Sequence, residues 1–128
     1  MTFCTASAER RTRRDEAAGE YERFLERMAV PLFRQVANVL RVENHMFTVF
    51  TPGGSVRLMS DRSGDDYIEL TLDASGTRPQ VVLHSSRRRG GGVVESEAPI
   101  GGGGPIGDLT EEDVLGPVLT ELEPFVER

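Results

Sequence analysis

HMFTVFTPGGSVRLMSDRSGDDYIELTLDASGTRPQVVLHSS, residues 45–86, alternates apolar and polar side chains between clusters of turn-forming residues. Side chains of an extended strand point to opposite faces in turn, so this alternation predicts strands with one buried face. The runs HMFTVFT, SVRLMS, DYIELTLD and QVVLHSS read as four strands, separated by PGG, DRSGD and ASGTRP. Connections this short cannot carry a parallel crossover, so neighbouring strands must be antiparallel hairpins. A slip of one residue would turn every apolar side chain to the wrong face, which makes the register predictable. Val49 is expected opposite Val56 and Phe47 opposite Leu58 in the first hairpin. Leu58 then faces Ile68 and Val56 faces Leu70, and in the third hairpin Leu70 faces Leu83 and Leu72 faces Val81. The resulting apolar face needs a cover.

Candidates for the cover stand before and after the strands in sequence. Across residues 15–42 the apolar positions Tyr21, Phe24, Leu25, Met28, Leu32, Val36, Val39 and Leu40 recur at intervals of three and four. This is an amphipathic helix with one buried stripe, and Pro31 within it predicts a kink or a break. Toward the C-terminus, Val114, Leu115, Val118, Leu119, Leu122, Phe125 and Val126 form a second stripe. Thr110 with Asp113 three residues on predicts the helix start, and Gly116, Pro117 and Pro124 predict a kinked helix. The expected fold class is therefore α+β: an N-terminal helix, a four- or five-stranded antiparallel meander and a C-terminal kinked helix. Residues 1–14 read as a flexible polar tail and residues 15–128 as a single domain.

Between the fourth strand and the last helix lies RRRGGGVVESEAPIGGGGPIGD, read as a Gly-rich loop over residues 87–108 with a weaker fifth strand at 93–97. Gly102, Gly104 and Gly107 spell G-x-G-x-x-G, but no strand follows the helix after them, and Asp108, Glu111, Glu112 and Asp113 crowd the helix N-terminus that a phosphate would need. The stretch 101–104 reads as a slack connection.

The chain has 128 residues, 15 arginines, no lysine, one cysteine and a net charge of −6. Without lysine there is no Schiff base and no Walker-type lysine. Cys4 alone cannot close an intrachain disulfide, which fits a reducing, cytoplasmic location. Charge is unevenly spread. Glu9 against Arg10, Arg11, Arg13 and Arg14 leaves the first fourteen residues at +3, whereas residues 90–128 hold nine acids against Arg128, a net of −8. An acidic chain without a basic face is no general nucleic-acid binder. No apolar run is long enough to span a membrane, and the start MTFCTASAERRTRR lacks the apolar core of a secretory signal.

No Cys or His pair has metal-ligand spacing, and the carboxylates of DRSGDD are explained by turn chemistry. The expected register aligns Thr48, Arg57, Glu69 and His84 as a row on the face opposite the apolar one. Arg57 and Glu69 form a cross-strand ion pair there, and Glu69 beside His84 is the pairing that an acid/base or pH-responsive surface would use. With Arg87, Arg88 and Arg89, this row is the candidate site for a small anionic ligand. No catalytic residue, metal or cofactor is assigned. The leading expectation is a non-enzymatic binding or adaptor protein that self-associates as a homodimer, because two amphipathic helices offer more apolar surface than one sheet face buries.

Overall fold

The structure is a computed structural model that describes residues 16, 18–75, 79–101 and 105–126. The tail 1–14, Cys4, and the expected slack glycines at 102–104 lie outside the described residues. Helical backbone runs over residues 18–42 and ends in the α-helix Val30–Val42, here α1. Five strands follow, β1 (Phe47–Phe50), β2 (Ser55–Ser60), β3 (Tyr67–Asp73), β4 (Gln80–Arg89) and β5 (Gly92–Pro99), and then the helix α2 (Glu111–Val126). The strands form one antiparallel sheet in sequence order, so every connection is a hairpin and the fold is α+β.

The apolar alternation acts as expected. Val56, Leu58, Ile68 and Leu70 have no exposed surface, and they share one hydrophobic cluster with Phe33 and Ala29 of the N-terminal helical segment and Val114, Val118 and Leu122 of α2. Helix α1 lies on β1 and β2, and α2 lies on β4 and β3. The last turn of α2 also reaches Phe47 of β1, where Phe125 meets it edge-on with ring centroids 5.9 Å apart. Both helices thus cover the same face. Among the described residues no helix is long and apolar enough to cross a membrane.

The second and third hairpins have the expected register, with Leu58 opposite Ile68, Val56 opposite Leu70, Leu70 opposite Leu83 and Leu72 opposite Val81. The first hairpin corrects the expected one by two residues. Val49 pairs with Leu58 and Phe47 with Ser60, not Val49 with Val56 and Phe47 with Leu58. The reason lies in the turn. Ser55 N–H donates to Pro52 O at 3.0 Å, which puts Gly53 and Gly54 at the two corners, and Gly54 takes φ +80°. Proline is fixed near −65° and cannot supply that positive φ, so the turn slides until a glycine stands there. A two-residue slide preserves faces, so Phe47 stays buried and Val49 stays packed, partly buried, against the core.

Pro31 neither breaks nor ends the N-terminal helix. Instead, Leu25–Ala29 forms a π-helical segment directly before it, with Val30 N–H donating to Leu25 O. One wide turn reduces the conflict between a ring without a donor and the preceding helical carbonyls. At its other end α1 closes with Asn44 at φ 67°, Asn44 N–H donating to Arg41 O and His45 N–H to Leu40 O. That pattern is a Schellman cap, in which asparagine substitutes for the usual glycine. Near the helix start, the buried Tyr21 donates its hydroxyl to Gly54 O at 2.7 Å, tying the helix to the first hairpin turn.

The Gly-rich loop expected over 87–108 is largely structured. β4 continues through Arg89, β5 occupies Gly92–Pro99, Ile100 is buried, and a 3-10 turn covers Ile106–Asp108 before the buried Leu109. Gly101 has φ +72°, and a side chain there would collide with Leu109. Apolar anchors at Ile100, Ile106 and Leu109 are what the glycine count concealed. α2 opens with the predicted reciprocal cap, Thr110 N–H donating to Asp113 Oδ2 at 2.9 Å and Asp113 N–H to Thr110 Oγ1 at 3.3 Å. It carries Pro117 and Pro124 inside a single run of sixteen residues.

Burial, and secondarily the charge of Glu69, pushes the Tyr21 phenol well above its ordinary value of 10.0, so folding favours the neutral form. The stability this contributes is complete below pH about 10 and is lost as pH rises toward the folded value. Tyr21→Phe is therefore expected to cost about 1 kcal/mol at neutral pH through the lost hydrogen bond. It should also flatten the decline in stability above pH about 10. With no lysine to titrate over the same range, urea unfolding between pH 7 and pH 11 reads both effects.

Candidate functional site

On the face away from the helices, the pairings place Phe50 opposite Arg57, Arg57 opposite Glu69, Glu69 opposite His84 and His84 opposite Glu97. One row therefore crosses all five strands. It contains three of the expected members, Arg57, Glu69 and His84. Thr48 leaves it because of the two-residue slide in the first hairpin, pairs with Met59, and donates its hydroxyl to Asp61 Oδ1 at 2.7 Å. Phe50 and Glu97 stand at the two ends. A second row alongside holds Thr48, Met59, Tyr67, Ser86 and Glu95.

Contacts within the rows are dense. Arg57 Nε and Nη2 both reach Glu69 Oε2 at 3.0 Å, and Ser55 Oγ donates to the same oxygen at 3.3 Å. The Arg57 guanidinium also lies 4.3 Å from the Tyr67 ring centroid, a cation–π contact, and the Tyr67 and His84 rings lie 5.8 Å apart. Glu69 is thus committed to Arg57, although it is the cross-strand neighbour of His84. The carboxylates that touch His84 come from β5, Glu97 at 3.4 Å from Nδ1 and Glu95 at 3.5 Å from Nε2. Neither was assigned to the site from the sequence. The alternation of VVESEA, which puts Glu95 and Glu97 on one face, was the available signal.

Two acids on the two nitrogens of one ring clamp it from opposite sides. They do not converge on a point that a cation could occupy, and among the described residues no group of three His, Cys, Asp or Glu is placed to hold a metal. Both ring nitrogens face carboxylates of β5. Ser85 and Ser86 follow His84 on opposite faces. Ser86 donates to Asp65 O at 2.7 Å on the open side, while Ser85 donates to Glu121 Oε2 of α2 at 2.9 Å and contacts Ser96 Oγ at 2.6 Å. The serine pair braces the structure in two directions.

Arg87, Arg88 and Arg89 were expected in a turn and are instead the last three residues of β4, with the turn at Gly90 and Gly91. Strand alternation separates them. Arg88 shares the His84 face, and Arg87 and Arg89 share the face of Ser85. Arg88 is also engaged, its Nη2 lying 3.3 Å from Asp65 Oδ2 and its backbone N–H donating to the buried Asp66 Oδ1 at 2.7 Å. The six candidate residues consequently do not converge on one point. Two hollows lie elsewhere, one of about 240 Å³ bordered by His45, Arg62, Asp66 and Phe125, another of about 360 Å³ bordered by Arg23, Arg27, Met28 and Ile106.

No protein-family model matches the chain, and neither the curated proteins nor the solved structures provide a significant match.

Arg57 is about a third exposed at its side chain, 32 %, which leaves water to screen its partner. A double-mutant cycle on Arg57→Gln and Glu69→Gln, read by urea unfolding, is expected to give a coupling no larger than about 1 kcal/mol. A coupling of about 3 kcal/mol or more would mean that the pair is buried in solution, beneath something other than the described chain.

Proposed function

We propose that this chain is a non-enzymatic binding protein whose contact surface is the uncovered face of its sheet and which self-associates as a homodimer. The observation that carries this reading is the one-sided cover: two helices on one face, and on the other a five-stranded surface without a helix among the described residues. That surface presents Phe50 at 43 % exposure beside Met59, Tyr67 and Arg57, a mixture of aromatic, Met and Arg side chains that suits protein interfaces. The two hollows described above do not lie over it. Further apolar surface lies at Val39 and Val42 in the last turn of α1, at Met46 just beyond its cap, and at Leu119 on α2; Val39 and Leu119 thus leave the buried stripes in which they were expected.

The competing reading, an anionic ligand held by Arg57, His84 and the arginines of β4, has less support. Arg88 already has an acidic partner, Arg87 and Arg89 point to the other face, and the two hollows described above are not over the row.

Light scattering across a concentration series tests the proposal. The mass should rise from 14.1 kDa toward twice that value as concentration increases. A constant 14.1 kDa up to millimolar protein would remove the homodimer from the proposal.

A further inference from the structure

Resting on the homodimer reading, we propose that the uncovered sheet face pairs with the same face of a second copy, about a two-fold axis running along the strands between β3 and β4. The inference comes from the order of charges in the row. From β1 to β5 it reads Phe50, Arg57, Glu69, His84 and Glu97. A two-fold axis in that position lays β2 over β5 of the partner copy and β3 over β4 of the partner copy. Arg57 then meets Glu97 of the other chain, and Glu69 meets His84 of the other chain, so that the Arg57–Glu69 and His84–Glu97 pairs made within each chain join into one network of alternating charge. Because the interface is isologous, each contact occurs twice.

Other axes match the row less well. An axis along β3 stacks Glu69 on its own copy and Phe50 on Glu97. An axis along β4 brings Glu69 against Glu97. An axis between β2 and β3 also joins opposite charges, Arg57 to Glu69, but it duplicates a contact already made within each chain and leaves Glu95 and Glu97 uncovered. Those two carboxylates stand well out in water, at 60 % and 62 % of their side-chain surface, and Arg57 is the only permanent cation in the row. The axis between β3 and β4 is the one that sets Arg57 against Glu97, with Glu95 over Met59 in the neighbouring row. Spacing permits it. Stacked sheets lie about 10 Å apart, a gap that an extended arginine and a glutamate can bridge between them.

The overlap also fixes the strength. Four strands at about 4.8 Å, each contributing about six residues of 3.3 Å, cover roughly 400 Å² on each partner. This is about half the area of a standard stable interface. The dimer is therefore weak and sensitive to salt, because its central contacts are charged.

Charge reversal tests the pairing against the alternatives. Arg57→Glu alone and Glu97→Arg alone should each weaken self-association by about tenfold or more, since each sets two like-charged pairs across the axis. An equimolar mixture of the two variants should recover the dimer, because every cross-axis pair in the mixed species joins opposite charges. Light scattering at the concentration where the unaltered chain is dimeric reads all three samples, and far-UV circular dichroism checks that each variant is folded. Glu97 lies on an exposed edge strand, so Glu97→Arg keeps the test decisive even if Arg57→Glu is unstable. If the unaltered chain dimerises and Glu97→Arg dimerises equally well, this pairing is wrong and the homodimer reading survives. If the unaltered chain stays monomeric, both fall.

Discussion

Leu58, Ile68 and Leu70, without exposed surface, stand in register across β2 and β3 at the centre of the one face that both helices cover. An antiparallel sheet with a single apolar face is stable only when that face is removed from water, and each fully buried aliphatic side chain contributes about 1.5 to 3 kcal/mol. The helices must then lie side by side on the same layer. What remains is a second face with alternating polar residues and no helix among the described residues. The candidate site exists because the core is one-sided.

Alternation also explains how the polar face holds itself together. Directly opposed residues on neighbouring strands approach closely, so charges of opposite sign in register stabilise the sheet and charges of like sign destabilise it. Arg57 and Glu69 meet in this way, and His84 stands opposite Glu97. Edge strands raise a separate hazard, since unpaired backbone groups invite a further strand. β5 is exposed along its whole length, with Val93 and Val94 half in water, and Glu95 and Glu97 supply the charge that discourages indiscriminate pairing there. In an antiparallel self-pairing centred on Ser96, the two acids would oppose each other. Stacking through the face avoids that conflict and edge addition does not.

Local devices absorb the residues that disagree with their elements. Pro31 is carried by a π-helical segment, Asn44 caps α1 at positive φ, and Gly54 supplies the corner that Pro52 cannot. Each costs little alone. Their common effect is to keep long elements continuous, so that α1 reaches from the first hairpin turn, through Tyr21 and its helical extension, to the cap that leads into β1.

Legible in the sequence alone were the α+β class, the order of elements, most of the buried set (Val39 and Leu119, expected in the buried stripes, are instead exposed), the second and third hairpin registers and the adjacency of Arg57, Glu69 and His84. All of these follow from period-two and period-three-to-four burial, which is local and repeats over many residues. The reciprocal cap of Thr110 and Asp113 was legible for the same reason, being a short-range pattern. Only the tertiary structure decided what depends on a single turn or a distant partner. The first hairpin shifted because one glycine had to stand at a corner, which replaced Thr48 by Phe50 in the row. Arg87, Arg88 and Arg89 became strand because β5 came back to pair with them, and a run of glycines beside arginines carries no local sign of that return. His84 found its acids on β5 and not on β3 because Glu69 had a stronger competitor in Arg57. Which of two neighbouring charges a side chain chooses is settled by the whole set of groups around it.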